Sequence, residues 1–144
     1  MLVVLAVIAM LLGMSIPFVS GFGKGMRLKT SARGIVGTLR LAKSNAITYR
    51  KEFAVVFDQE KGEYWIEDGE GAVFEKKHRL PGSISFAPGQ GNEGGDPITF
   101  DGDRLVLFQT GAIRGGGGSV TITDRRGDSR TVSVLGSTGK IRVE

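Results

Sequence analysis

The sequence contains no cysteine, a single histidine and, over its first 23 residues, no charged side chain. Without cysteine there is neither a disulfide nor a thiolate ligand for a metal. The one histidine, His78, lies in the charged run Glu75–Arg79, which is a poor setting for a zinc ligand or for the base of a nucleophile. These absences favour a structural or binding protein over an enzyme, and no cofactor is expected.

The net charge of +4 conceals three blocks of different sign. Residues 24–51 hold eight basic and no acidic side chains, and residues 52–103 hold four basic and twelve acidic ones. Residues 104–144 hold seven basic and three acidic side chains. This pattern predicts three functional zones along the chain.

The first 23 residues predict a transmembrane helix. At a rise of about 1.5 Å per residue, Met1–Phe22 forms a helix about 33 Å long, which crosses a hydrocarbon core of about 30 Å. Pro17 lacks a backbone N–H and is expected to kink this helix. A cleaved signal peptide is the alternative, but such a peptide has a basic segment before a shorter apolar run.

The charges that follow this run bear on its orientation. Lys24, Arg27 and Lys29 come directly after it, and the positive-inside tendency alone would place them in the cytoplasm. An exported head fits this pattern if a basic leader precedes Met1.

Residues 24–51 have the periodicity of an amphipathic helix. Their apolar side chains recur at spacings of four and three, which places them on one helix face. The stripe consists of Leu28, Ala32, Ile35, Leu39, Ala42 and Ala46. We therefore predict one helix from about residue 2 to about residue 50, with its second half packed on a head.

Short strands separated by turn sequences are predicted after Lys51. They are Phe53–Asp58, Glu63–Glu67, Ala72–Lys77, Ser83–Ala87, Ile98–Phe100, Arg104–Gln109, Val120–Thr123, Thr131–Leu135 and Lys140–Val143. Asp101-Gly102 is interpreted as a hairpin turn between the two strands that flank it. The predicted fold is α+β, with a transmembrane helix (1–23), an amphipathic basic stem (24–51) and a β-rich head (52–144) whose antiparallel sheet the helix covers on one face.

Three motifs carry a resemblance. The run MLVVLAVIAMLLGMSIP is similar to the segment that follows a prepilin cleavage motif, and Leu39–Ile47 resembles the helix segment L-x-x-A-R-S-x-A-I, with Lys43 in place of arginine. Phe108–Gly111 and Gly139–Val143 resemble a late F-x-x-x-G pattern, here one residue shorter, and a terminal G-R-x-R pattern. Together they resemble the GspH/FimT family of type II secretion pseudopilins and type IV minor pilins over essentially the whole chain.

This resemblance implies a pilin-like fold and a function in assembly. Its expected partners are other pilin or pseudopilin subunits and the bacterial inner membrane. Family members also carry a short basic leader, a cleavage glycine and a phenylalanine-led segment that ends in glutamate, and the new N-terminus is methylated. We expect these elements upstream of Met1, with prepilin peptidase as a further partner; the alternative is a subunit that is not processed in this way.

Two other patterns suggest specific sites, and each has an ordinary structural explanation. Asp96, Asp101 and Asp103 are candidate calcium ligands, but no fixed-spacing loop motif joins them. Arg126–Asp128 matches an integrin-binding tripeptide, although a hairpin turn explains the same residues. Neither site is adopted.

Basic residues late in the chain form the remaining candidate site. They are Arg114, Arg125, Arg126, Arg130, Lys140 and Arg142. The ordinary interpretation is a solvated or subunit-facing surface. The alternative is contact with DNA phosphates, because competence-linked relatives in the resembled family bind DNA during uptake, and such binding is salt-sensitive.

Three functions are compatible with these observations. The preferred one is a minor pilin or pseudopilin that is held in the inner membrane, has its head in the periplasm and is incorporated near the fibre tip. Its basic stem is expected to meet acidic surface on a neighbouring subunit. The alternatives are a DNA-binding minor pilin that acts in DNA uptake, and a membrane-tethered periplasmic binding protein that never assembles.

Overall fold

A single helix accounts for the first third of the chain. The computed structural model describes residues 1–89 and 94–144, without the side chains of residues 12–22 and 24. Helix α1 spans Leu2–Tyr49 and ends at Arg50, which has the left-handed conformation (φ 51°, ψ 40°). Its 48 residues correspond to a length of about 72 Å.

The N-terminal part of α1 is exposed where the structure describes its side chains. The side chains of residues 1–11 are all exposed. In the part of the chain that the structure describes, no helix is both long and apolar enough to cross a membrane. The predicted kink at Pro17 lies outside the described side chains, and the boundary predicted at residue 23 stays a prediction.

The second half of α1 is built into the head. All six residues of the predicted stripe are buried, as are Val36 and two polar neighbours, Ser31 and Thr38. The opposite face of the helix is exposed and includes Arg33 and Arg40. The apolar stripe, which recurs in the sequence with the period of a helix, therefore packs against the chain's own head.

The described residues of the head form eight strands in two antiparallel sheets. The strands are β1 (Phe53–Asp58), β2 (Glu63–Asp68), β3 (His78–Arg79), β4 (Ile84–Phe86), β5 (Arg104–Leu107), β6 (Gly117–Asp124), β7 (Ser129–Leu135) and β8 (Ile141–Val143). The first sheet has the order β3-β2-β1-β5 and the second the order β4-β6-β7-β8. The predicted single sheet is thus wrong in number, although its antiparallel pairing is confirmed.

The core lies where α1 meets both sheets. Val55 and Ile66 of the first sheet and Val120, Ile122 and Val132 of the second are fully buried. In β2, β6 and β7 the buried residues alternate with more exposed ones, as expected of sheets that bury one face, whereas β1 is buried over Phe53–Val55. The helix, rather than a sheet face, closes the core on its third side.

The predicted strand Ala72–Lys77 is wrong. Val73 makes one isolated bridge to Glu67, and pairing resumes only at β3. Between them Phe74 packs edge-on against Phe53, with ring centroids 4.9 Å apart, and Lys77 lies 4.0 Å from the centroid of the Trp65 ring. These side-chain contacts take the segment out of register with β2.

The predicted hairpin around Asp101-Gly102 is also wrong. Ile98 bridges Val120 in the second sheet, whereas β5 pairs with β1 in the first. The turn Asp101–Asp103 therefore connects the two sheets and does not join neighbouring strands. Alternation along a segment indicates a strand but does not identify its partner.

Tyr64 shows how closely the helix approaches the first sheet. A Cβ placed on Gly34 of α1 would lie 2.9 Å from the Tyr64 hydroxyl oxygen. The tyrosine is buried, and burial raises the pKa of its hydroxyl above the ordinary value of 10.0. The glycine leaves the room that this aromatic ring occupies.

Candidate functional site

The candidate calcium ligands do not form a common site. Gln59 Nε2 donates to Asp96 Oδ1 at 3.3 Å and to Asp103 Oδ2 at 3.0 Å, while Asp101 stands in the adjacent turn. No group of three or more His, Asp or Glu side chains within the described residues is placed to hold a metal ion. Two of the three carboxylates are instead joined through an amide group.

The Arg126–Asp128 tripeptide forms the turn between β6 and β7. Asp124 Oδ1 accepts the backbone N–H of Arg126 at 2.8 Å and that of Asp128 at 3.1 Å. The carboxylate thereby holds the turn closed, and Gly127 supplies its positive φ of 89°. The tripeptide has a structural role that accounts for its sequence.

Four of the twelve acidic side chains in residues 52–103 form ion pairs within the part of the chain that the structure describes. Four ion pairs have N···O distances of 3.2 to 3.8 Å: Lys61–Asp58, Arg79–Glu63, Arg104–Glu67 and Arg114–Glu52. The Lys61 backbone N–H holds the pKa of Asp58 below its usual 3.8. Ion pairs at a protein surface contribute about 0–1 kcal/mol each, so these pairs offset four of the twelve acidic side chains and add little to the stability of the fold.

The six late basic residues occupy three different places. Arg114 is paired with Glu52 and lies 5.1 Å from the centroid of the Phe108 ring. Lys140 and Arg142 lie at and in the edge strand β8. Arg125 and Arg126 lie in the β6–β7 turn and Arg130 lies near the start of β7, whereas Arg142 is opposite Ser133 in the middle of that strand.

Arg125 and Arg126 line a cleft together with a third arginine, which comes from α1. Arg27 of α1 and Arg125 and Arg126 of the β6–β7 turn line one cleft of about 290 Å³, together with Ser83, Ile84 and Asp124. We call this the proximal cleft. Nothing in the sequence pointed to it, because 98 positions separate Arg27 from Arg125 and only the packing of α1 on the second sheet brings them together.

Lys43 marks a second point of convergence, which we call the lysine junction. Its Nζ donates to the Thr138 carbonyl oxygen at 3.3 Å. A Cβ on Gly139 would lie 2.8 Å from that Nζ, and a Cβ on Gly111 would lie 3.0 Å from Lys43 Cε. The helix motif and both late glycine motifs of the sequence thus meet at one place, where the helix is fixed to two turns.

We expect Gly139→Ala to destabilise the fold by roughly 2–3 kcal/mol. Gly139 has a φ of +61°, which costs an L-residue about 1–2 kcal/mol, and crowding against the Gly111 carbonyl oxygen, 3.0 Å from the new Cβ, together with the Lys43 side chain adds up to about 1 kcal/mol more. The change is measured as the urea midpoint of the chain in mild detergent.

The matched control is Gly102→Ala. Gly102 has nearly the same φ of +63° but nothing within 4 Å of a new Cβ, so it reports the backbone cost alone. Truncation by Lys43→Ala should recover part of the difference between the two variants. If Gly139→Ala costs no more than Gly102→Ala, the junction is not tightly packed.

The family profile described as "Type II transport protein GspH" matches residues 31–139. No curated protein sequence matches the chain. The matched residues include the buried stripe from Ala32 onwards and the lysine junction.

Two solved structures share the fold. The minor pseudopilin EpsH from the type 2 secretion system of Vibrio cholerae is 14% identical, covering 82% of this chain and 96% of that one, with a TM-score of 0.61. The type IV minor pilin FimU of Pseudomonas aeruginosa is 16% identical, covering 85% and 92%, with a TM-score of 0.64. These likenesses confirm the predicted pilin-like α+β arrangement with antiparallel sheets.

Proposed function

The chain belongs to the GspH family of type II transport proteins, and we propose that it is a minor pseudopilin or minor pilin that assembles through its N-terminal helix. Two of the solved structures that share its fold are minor subunits, one of a type 2 secretion system and one of a type IV pilus. In this proposal residues 1–23 lie in the inner membrane before assembly, the head faces the periplasm, and the subunit joins other pilin subunits near the fibre tip. Its function is mechanical, and no catalytic residue is assigned.

The observation that carries the proposal is the change of environment along α1. The side chains of Met1–Leu11 are exposed, including Leu2 at 84% and Met10 at 70% of their full accessibility. Apolar surface left in water costs about 25 cal/mol per Å², so this segment requires a bilayer or neighbouring helices to cover it. From Leu28 onwards the same helix is fixed in the head.

The buried stripe then has a defined role in assembly. Its six residues hold the stem to the two sheets of the same subunit and do not face a neighbour. A force or a contact applied to the N-terminal segment is thereby transmitted to the head as one body. We infer that neighbouring subunits are contacted by the exposed N-terminal segment and by the outer face of the stem.

An acidic side chain in the apolar segment tests this proposal. We expect Ile8→Asp to reduce the membrane-bound fraction after alkaline carbonate extraction by roughly tenfold or more, because a carboxylate near the middle of a spanning helix costs about 2.5–3.5 kcal/mol. Assembly is read in the same cells. Since the chain has no cysteine, a Val4→Cys thiol reports crosslinks to other pilin-like subunits.

Thr48→Asp is the matched control, because Thr48 lies on an exposed part of the same helix beside the head. It should retain both membrane association and crosslinks. Equal behaviour of the two aspartate variants, or membrane association without any crosslink to another pilin-like subunit, would contradict assembly through this helix. The second result would favour a tethered protein that acts alone.

A further inference from the structure

We propose that the proximal cleft binds the phosphate group of an anionic lipid at the membrane surface. This rests on the proposed function, because a membrane surface lies beside the cleft only if residues 1–23 are in the bilayer. The ligand is a phospholipid headgroup, and the residues that recognise it are Arg27, Arg125 and Arg126.

The three guanidinium groups are available for an anion. Within the described residues none of them has a carboxylate oxygen within ion-pair distance, in contrast to Arg79, Arg104 and Arg114, which all do. Planar guanidinium groups bind phosphate oxygens through pairs of parallel hydrogen bonds. Unpaired arginines gathered from two elements form a receptor for such a group.

The cleft is also held in shape. Arg125 Nη2 donates to the Gly82 carbonyl oxygen at 3.2 Å, which ties the β6–β7 turn to the segment before β4. Asp124 lines the cleft, but its Oδ1 already accepts the two backbone N–H groups that close the turn. The carboxylate keeps its negative charge while it holds the turn, so the three arginines outnumber it and leave the cleft with a net positive charge.

The position of the cleft along α1 matches the headgroup region. Arg27 follows Gly23, the end of the uncharged segment, by four residues, or about 6 Å of helix. Because Arg27, Arg125 and Arg126 line the same cleft, the β6–β7 turn lies at the same level. Long basic side chains at this depth reach the lipid phosphates.

The depression next to the proximal cleft has a mixed charge. Across the segment Pro81–Ser85 lies a second depression lined by Glu60, Lys61 and Arg79, in which both signs of charge occur. Arg79 there is paired with Glu63 at 3.8 Å. Of these two neighbouring depressions, only the one that Arg27 enters brings together three arginines that have no ion-pair partner among the described residues.

The experiment titrates the whole chain in nonionic detergent with phosphatidylglycerol or phosphatidylcholine and counts lipid adducts by native mass spectrometry. We expect tighter binding of phosphatidylglycerol, and a loss of about fivefold for each arginine that is removed. Arg125→Gln with Arg126→Gln should therefore weaken binding roughly 25-fold. Arg27→Gln alone should weaken it about fivefold.

Lys140→Gln with Arg142→Gln is the matched control, because it removes two positive charges at the edge strand β8 that do not line the proximal cleft. This pair should leave phosphatidylglycerol binding unchanged. A loss equal to that of the Arg125 and Arg126 pair would show that only net charge matters and would overturn the cleft. An absence of preference for phosphatidylglycerol would overturn it as well.

Two competitors separate the possible sources of the phosphate group. Inorganic phosphate at the lipid concentration should not displace the lipid; if it does so as effectively as added lipid, the cleft is a site for a free anion. Duplex DNA that displaces the lipid through the same arginines would assign the cleft to nucleic acid. Either result overturns the lipid proposal.

Carbonate extraction shows separately whether residues 1–23 anchor the chain in the bilayer. Retention of the chain in liposomes after carbonate extraction, combined with no preference for phosphatidylglycerol, overturns only the lipid site. A chain that is not retained overturns both the anchor and the lipid site. Retention with the expected lipid preference supports both.

Discussion

Replacing Gly136 with alanine is expected to destabilise the head by about 3 kcal/mol or more. Gly136 follows the end of β7, and a Cβ at this position would collide with the backbone of Gly116, at its Cα, carbonyl carbon and carbonyl oxygen. The neighbouring Gly117 pairs with Leu135 and is itself confined, since its own Cβ would lie 2.6 Å from the Gly136 backbone nitrogen. Backbone atoms meet on both sides, so no side-chain rotation relieves the overlap.

Gly37→Ala provides the contrast. Gly37 lies on the exposed face of α1 and has nothing within 4 Å of a new Cβ, so alanine should stabilise the helix by up to about 1 kcal/mol. Circular dichroism during urea unfolding in mild detergent measures both variants. If they shift the midpoint in the same direction, the close approach of the two glycine segments does not constrain the fold.

Replacing Ile35 with alanine is expected to cost about 3 kcal/mol and to loosen the stem from the head. Ile35 has no exposed surface and stands in the middle of the buried stripe. Truncation of a buried isoleucine costs about 2–5 kcal/mol through lost burial and the cavity left behind. The unfolding midpoint measures the stability, and the rate of trypsin cleavage after Arg33 and Arg40 measures release of the stem.

Leu41→Ala is the control on the same helix. Leu41 is 41% exposed on the outer face, so its truncation should cost less than about 1 kcal/mol and leave trypsin cleavage slow. Rapid cleavage in Ile35→Ala without a change in the head's strands would show that the stem detaches locally. Equal cleavage of both variants would mean that the stripe does not hold the stem in place.

The attachment of the stem to the head determines whether a contact on the N-terminal segment reaches the head. The lysine junction and the buried stripe fix the stem at several points along its length. Under the proposed function, a loosened stem would uncouple the head from the N-terminal segment without altering that segment. Ile35→Ala and Ile8→Asp should therefore impair assembly for different reasons, and only the second should alter membrane association.

Some strands were identified by sequence to the residue and others were not. Phe53–Asp58 was predicted with the bounds that the structure has, because a short run of apolar residues ends at a turn. Ile98–Phe100 is also short and apolar at both ends, yet Ile98 bridges the second sheet and the segment crosses between sheets. Local pattern determines which residues are buried, whereas the partner depends on contacts distant in sequence.

The candidate sites show the same difference between a local sequence pattern and contacts distant in sequence. Each of the six late basic residues was identifiable, but their division among three places depends on the direction of β7 and on the pairing of Arg114 with Glu52. No feature of the sequence indicated that Arg27 contributes to the proximal cleft. Contact with DNA stays a prediction for the residues named.

The sequence by itself determined the helical stripe from Leu28 to Ala46, the uncharged N-terminal segment and the α+β class. Each follows from a period or a composition that is written along the chain. Tertiary structure alone decided that there are two sheets, that Lys43 meets Gly111 and Gly139, and that Arg27 joins Arg125 and Arg126. The reason is that these contacts join residues 60 to 100 positions apart, which only the packing of α1 across both sheets brings together.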